Sequence, residues 1–450
     1  MKRLIEYYLD KWKNSPTRKS LLVRGARQVG KTHTIREFGK KFESFVEINF
    51  ESNRLARGVF EKDLDPHRIL QELSIISEKQ IIPGRTLLFL DEIQITPQGI
   101  LALRYFYEEI PELHVIAAGS LLEFAIQKVG VPVGRVQFLY MYPLTFIEFL
   151  CAFGHNQLID RIVTHSVDEN ISDFIHEKLL SLLGQYLAIG GMPQSVVCWR
   201  DEANLYSCSY IPNNLVEAYQ YDFVKYAKSY QVKYLDLLFM RIPQQLGKKF
   251  KYSQIGEYRK RELEPCVDLL LTTGIVQQVF HTDAQGIPLG AQIDFDTFKL
   301  IFLDVGLTQY ILGLKVGDWL INPLEEFINK GTLVESFVGQ ELLAYENPTR
   351  KNALYYWKRD ARGSEAEVDY IIQYKNKVLP IEVKSGKGSS MRSMKMFLEG
   401  HNDSPYGVSL STNNYSVYEN IHSYPLYSVI KLIVEQDEEV KNSVYNLIKD

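Results

Sequence analysis

Cysteine is scarce: four in 450 residues, Cys151, Cys198, Cys208 and Cys266, with no CxxC spacing. That excludes a disulfide-stapled miniprotein, and the four read as small buried apolar residues in a reducing compartment. Long hydrophobic runs are missing too. The longest, 136–153, is broken by Gln137, Pro143, Thr145 and Glu148, whereas a membrane span needs about 20 mostly apolar residues. The N-terminal MKRLIEYY is charged within six residues and has no apolar core of a secretory signal. Together these absences predict a soluble cytoplasmic protein with no membrane partner. Neither sign of charge dominates: Lys plus Arg is 51 and Asp plus Glu 55, a net charge of −4. A histone-like polycation is excluded, but a local basic patch is not. There is no fixed-period repeat and no low-complexity tract. The 46% hydrophobic and 24% charged content is that of a globular chain rather than a disordered one.

At about 150 residues per domain, the length predicts three domains. Residues 1–155 alternate β-type runs (21–24, 45–50, 86–90, 114–118) with helical patterns such as 32–41 and 98–109, as an α/β domain should. Residues 156–325 read as mainly helical, broken at Gly190-Gly191-Met192-Pro193 and ending in a strand-like run at 298–303. Residues 326–450 open with a helix over 332–345 and continue in strands to about Ser385.

Gly25-Ala26-Arg27-Gln28-Val29-Gly30-Lys31-Thr32 matches GxxxxGK[ST] in full. Glycines let the backbone N–H groups curl toward phosphate oxygens. Lys31 would set a cation on the β- and γ-phosphates, and Thr32 would offer a hydroxyl to Mg²⁺ at a helix N-terminus. A strand before the motif and a helix after it supply the confirming context. The apolar run 86–90 then ends in Asp91 and Glu92. Asp91 would hold the Mg²⁺ shell, and Glu92 would orient or deprotonate the attacking water. A strand between the two motifs, with a Glu beside the Asp, resembles the AAA+ ATPases rather than small GTPases, and no NKxD guanine motif is present. Ser120, after the fourth run, reads either as a group touching the γ-phosphate or water, or as a helix N-cap. Arg135 reads either as a cation reaching a nucleotide in cis or in trans, or as a salt-bridge partner.

Residues 234–303 read as a winged helix, with a helix ending near Leu246, a short one from Tyr252, a third over 261–273 and a wing strand at 275–280. Residues 241–263 carry seven basic side chains (Arg241, Lys248, Lys249, Lys251, Arg259, Lys260, Arg261) against Glu257 and Glu262. That excess would neutralise nucleic-acid phosphates, although such modules also contact proteins and lysine-rich loops are commonly just solvated.

Runs 367–374 and 377–384 meet at Lys375-Asn376. A two-residue turn there pairs Tyr374 with Lys377 and so sets Asp369 opposite Glu382, with Lys384 on the same face. Two such carboxylates would accept a Mg²⁺ between them, with Lys384 polarising the attacking water. Asp-x12-Glu-x-Lys after an acid-bearing helix matches the PD-(D/E)XK nuclease signature. Glu335 is the expected helical acid and metal ligand, with Glu341 in reserve. The competing reading is a surface hairpin with a cross-strand salt bridge.

Across nearly its whole length the chain resembles a family of bacterial and archaeal ATPases, many from Bacteroides relatives, with an AAA-type domain and a C-terminal restriction-endonuclease-like domain of unknown function. The stretches that carry the likeness are LLVRGARQVGKT (21–32), LLFLDEIQ (87–94), AGSLL (118–122), YPLTFIEFL (142–150), GGMPQ (190–194), FLDVGL (302–307), LVESFVGQELL (333–343) and IEVKSG (381–386). The resemblance implies ATP at Gly25 to Thr32, Mg²⁺ and hydrolysis at Asp91 and Glu92, and a nuclease-like site at Glu335, Asp369, Glu382 and Lys384. The expected function is an ATPase coupled to a DNA- or RNA-binding end, with or without nuclease activity. The alternative is an ATP-driven switch or scaffold whose nuclease-like domain binds a protein partner.

Overall fold

The computed structural model describes residues 1–120, 122–130, 132, 134–361, 364–384 and 391–449. Leu121 of AGSLL, and Ser385 and Gly386 of IEVKSG, lie outside them. The chain forms two compact units, Met1–Tyr142 with Asn347–Lys351, and Pro143–Glu346 with Asn352–Asp450. No helix among the described residues is long and apolar enough to cross a membrane.

The first unit is an α/β fold on a parallel sheet of five strands: β1 (Ser20–Arg24), β2 (Ser44–Asn49), β3 (Thr86–Asp91), β4 (His114–Ala118) and β5 (Val136–Tyr140). Their order is β2-β3-β4-β1-β5, every pair parallel. The central strands β3 and β4 are buried at every position, which is why TLLFL and HVIAA read as continuous apolar runs rather than alternating ones. On one face Leu88, Leu90, Val115 and Ala117 pack with Leu22, Val46, Ile48, Ile100, Leu103 and Phe106 in one core. The crossovers are helical and start where the sequence supplies caps. Asp65 accepts from the N–H groups of His67 and Arg68 ahead of Pro66, and Asn53 accepts from Ala56. The order matters because β4 is inserted between the strand entering the glycine loop and the strand ending in Asp91.

The second unit holds a mixed eight-stranded sheet, β6 (Val276–Thr282), β7 (Ile293–Phe302), β8 (Leu354–Ala361), β9 (Ser364–Tyr374), β10 (Lys377–Val383), β11 (Gly407–Ser411), β12 (Ser416–Tyr418) and β13 (Ile421–Pro425), in the order β12-β13-β11-β10-β9-β8-β6-β7. The middle and C-terminal regions therefore share one sheet. The run 275–280, read as a wing strand, lies in β6, which pairs with β7 and joins β8 through parallel pairs such as Val279 with Leu354. Ahead of it come helices Ser229–Arg241 and Lys260–Thr272; the short helix expected from Tyr252 is a 3₁₀ turn, Tyr252–Gln254, and another 3₁₀ turn, Ile242–Gln245, follows the first helix. The GGMPQ break ends the helix Asp173–Ile189. Gly190 has φ +78°, and a Cβ there would lie 2.3 Å from Asp304 Oδ1. Asp304 Oδ2 accepts from the Gly191 N–H at 2.6 Å, and Oδ1 from Leu307 at 3.0 Å. That buried carboxylate ties GGMPQ to FLDVGL.

The β9–β10 register is the expected one. Pairs run from Tyr374 with Lys377 to Tyr370 with Ile381, and Lys375 and Asn376 both have positive φ, as a tight hairpin with native twist requires. One difference concerns the cysteines. Read separately in the sequence, Cys198 and Cys208 face each other on successive helices with their Sγ atoms 2.7 Å apart.

Candidate functional site

The loop between β1 and the helix Lys31–Gly39 bends through three positive φ values, Gly25 at +149°, Gln28 at +63° and Gly30 at +99°. At Gly25 a side chain is also sterically blocked, because its Cβ would lie 2.2 Å from the Met141 carbonyl oxygen. Lys31 opens the helix and is only 8% exposed. Its ammonium donates to the carbonyls of Gly25 and Ala26, each at 2.8 Å, folding back over the loop. Burial pulls its pKa down to about 8, against the opposing pull of Glu92 and Asp91. A cation is stored at the mouth of a backbone cradle.

Thr32 follows, its hydroxyl donating to Asp91 at 3.3 and 3.4 Å. Asn49, paired with Asp91 across β2 and β3, donates to Asp91 Oδ2 at 3.2 Å. Burial, and then the Glu92 charge, raise the Asp91 pKa, so a cation beside Asp91 would be welcome. A hydroxyl and one carboxylate side by side fit Mg²⁺, which takes one or two protein oxygens and fills its octahedron with water and phosphate. Glu92 sits just past the strand in left-handed backbone, φ +52°. Its Oε2 accepts from Gln94 Nε2 at 2.5 Å and from Ser120 Oγ at 3.3 Å. Ser120 reaches it because β4 lies between β1 and β3. The contact the structure gives Ser120, donation to the Glu92 carboxylate, is one that neither sequence reading named. Arg135 is paired at the surface, its Nε donating to Glu108 at 2.6 Å, which is the salt-bridge alternative.

Three contributors were not read from the sequence: Asn49, Gln94 and Arg3. Arg3 is buried and donates to the carbonyls of Val29 at 3.0 Å and Tyr142 at 2.8 Å, bracing the loop from behind. Gln94 alone carried a signal, two residues after Glu92 in LDEIQ.

In the second unit, Asp369 on β9 accepts from the Val383 N–H at 2.8 Å, one step beyond the last ladder pair. Burial and the neighbouring Glu335 push its carboxyl up to about 8, with Lys299 pulling the other way. Glu382 is buried and ion-paired with Lys384. Burial raises its pKa and Lys384 offsets part of that rise. Glu335 on the helix Gly331–Tyr345 meets Lys299 Nζ at 2.9 Å, a residue absent from the expected set. Glu341, the reserve acid, serves elsewhere. It is buried, its carboxylate accepts from the Phe146 N–H at 3.1 and 3.3 Å, and burial lifts its pKa to about 8. It cannot also face β9, because the helix turns it to a different element.

The Mg²⁺ expected among Glu335, Asp369 and Glu382 does not fit this arrangement. Each carboxylate already has an ammonium against it. Among the described residues, no group of three or more His, Cys, Asp or Glu is placed to hold a metal ion.

Residues 17–150 match the family model described as an AAA domain. Residues 180–318 and 330–433 match two models described as domains of unknown function, DUF8612 and DUF4143. No curated protein matches the chain. Among solved structures, a Walker-type ATPase of Pyrococcus abyssi is 13% identical, with 69% of this chain and 94% of that one covered and a TM-score of 0.44. The Aeropyrum pernix Orc1 protein in complex with DNA is 14% identical, with 71% and 92% covered and a TM-score of 0.30. PCH-2 of C. elegans is 15% identical, with 60% and 65% covered and a TM-score of 0.20.

Proposed function

We propose, from the AAA-type ATPase domain that the first unit carries, that the chain hydrolyses ATP with Mg²⁺ and that its nucleotide state governs how the second unit engages nucleic acid. The observation that carries the first half is the convergence of Lys31, Thr32, Asp91, Glu92 and Ser120 around one glycine cradle. The N–H groups of residues 25–32 bind the triphosphate, and Lys31 exchanges its two loop carbonyls for β- and γ-phosphate oxygens. Thr32 and Asp91 hold the Mg²⁺, which supplies charge neutralisation to the phosphates. Glu92, oriented by Ser120 and Gln94, takes the proton of the attacking water.

A pH dependence follows from Lys31. Its depressed pKa of about 8 leaves it uncharged above that pH in the nucleotide-free protein, whereas phosphate binding needs the cation. ATP affinity is therefore expected to stay flat below pH 8. Above it, affinity falls toward a limit of about tenfold per pH unit, because one proton must be taken up with the ligand. Calorimetry in buffers of different ionisation enthalpy reads that proton directly; binding without proton uptake at pH 9 contradicts it.

Support for the nucleic-acid half is that Arg241, Lys248, Lys249, Lys251, Arg259, Lys260 and Arg261 are all exposed. Tyr258, with an exposed ring, stands among them. Replacing Lys248, Lys249 and Lys251 with Ala is expected to weaken polymer binding and to flatten its salt dependence, by roughly one unit of log–log slope for each phosphate that is no longer neutralised. Filter binding across a salt series measures it, and an unchanged slope rules out this surface. The decisive test is the ATPase rate of wild type and Lys31→Ala, each with and without DNA and RNA. Stimulation by one polymer identifies the substrate class. No turnover at all overturns the ATPase, and turnover indifferent to every polymer favours the protein-partner alternative. For the C-terminal carboxylates, the lysine among them favours binding without cleavage.

A further inference from the structure

β7 runs Phe298-Lys299-Leu300-Ile301-Phe302, and all five side chains are buried. A lysine in such a strand is out of place: it is 2% exposed, and an ammonium shielded from water keeps its charge only if anions face it. Two carboxylates do, with a third carboxyl farther off. Lys299 Nζ lies 2.9 Å from Glu335, 2.6 Å from Glu367 and 3.9 Å from Asp369, and 5.0 Å from the centroid of the Tyr356 ring. Glu367 and Asp369 alternate along β9 and so share one face of it, while Glu335 comes from the helix Gly331–Tyr345. Glu382 is held by Lys384, although among the described residues its Oε2 is buried without a hydrogen-bond partner. The second oxygen of Asp369 is held by the Val383 N–H.

A divalent ion would need several of these oxygens turned toward one point with no competing cation. The point is taken. An ammonium is a compact charge with three donors that can be shared among three carboxylates. We propose that Lys299 is the resident cation of the C-terminal cluster, neutralising its carboxylates in place of a metal, so that this site takes up neither Mg²⁺ nor Mn²⁺ and cleaves no phosphodiester. The inference rests on the non-cleaving reading of the second unit and is independent of ATP turnover. It also gives the cluster a purpose: an ionic fastening of β7 to β9 and to the helix bearing Glu335.

The test is Mn²⁺ titration of nucleotide-free protein carrying Asp91→Asn, which removes the acidic ligand of the ATP site, with retained Mn²⁺ counted by electron paramagnetic resonance. The chain with Lys299 is expected to retain none. Lys299→Met, checked for folding by circular dichroism, is expected to retain one Mn²⁺ per chain and to lose it again when Asp369→Asn is added. Retention by the Lys299 chain that disappears in Asp369→Asn overturns the proposal. So does a folded Lys299→Met protein that retains nothing, since the lysine is then not what keeps metal out. If Lys299→Met does not fold, the Lys299 chain and its Asp369→Asn variant still decide. No Mn²⁺ in either supports the proposal, and Asp369-dependent binding, or Mn²⁺-dependent cleavage of DNA or RNA, refutes it. Failure of the ATPase reading would appear separately, as absent turnover in the chain with Asp91 intact.

Discussion

Glu92→Gln lowers the rate of ATP hydrolysis by about 10²- to 10⁴-fold, the usual contribution of a positioned base, while ATP still binds. The substitution is nearly isosteric, so the hydroxyl of Ser120 keeps an oxygen to donate to at the position it now reaches at 3.3 Å. What the amide cannot do is accept the proton of water at neutral pH. The phosphate cradle is untouched, because the loop N–H groups, Lys31 and Thr32 belong to a different segment. Lys31→Ala should differ in kind, losing affinity together with turnover. Steady-state phosphate release, paired with binding of a fluorescent nucleotide, separates the two variants. A Glu92→Gln protein that turns over within a few-fold of wild type would remove Glu92 from the mechanism and leave water activation to another group.

Lys299→Met destabilises the second unit by about 3–5 kcal/mol, the range seen when one partner is removed from a buried ion cluster. The sign follows from what is left behind. Lys299 is raised well above its ordinary pKa because Glu335, Asp369 and Glu367 outweigh the opposing effect of burial. Without the ammonium, Glu335 and Glu367 confront each other and Asp369 with no cation between them. Adding Glu335→Gln removes one of the stranded charges, so the double variant should be less destabilised than the sum of the two single ones. Three of the four tryptophans, Trp199, Trp319 and Trp357, lie in this unit, so denaturant unfolding followed by tryptophan fluorescence reports on it. Additive single and double variants would mean that the cluster is not coupled.

The two sites differ in how far they were legible. The phosphate cradle is built from consecutive residues whose conformations are local. The positive φ values at Gly25 and Gly30, the helix start at Lys31 and the strand ending at Asp91 are each set by neighbours a few positions away. The β9–β10 register was legible for the same reason, since a two-residue turn fixes every pair that follows. Asn49 was not, because its contact with Asp91 depends on which strand lies beside β3. Arg3 was not, because its second carbonyl is 139 positions away.

Sequence alone therefore determined the chemistry available: a glycine cradle with Lys31 and Thr32, an Asp91-Glu92 pair, and a set of acids and a lysine near the C-terminus. It determined these because each is a short run whose backbone is shaped by its own residues. Tertiary structure decided what each group faces. It set β4 between β1 and β3, which carries Ser120 to Glu92, and it joined β6 and β7 to the C-terminal sheet through β8. That pairing delivered Lys299 to the carboxylates of Glu335, Glu367 and Asp369. A buried charge takes its meaning from its nearest counter-charge, and here that partner lies 36 to 70 positions away in the chain, beyond the reach of any local pattern.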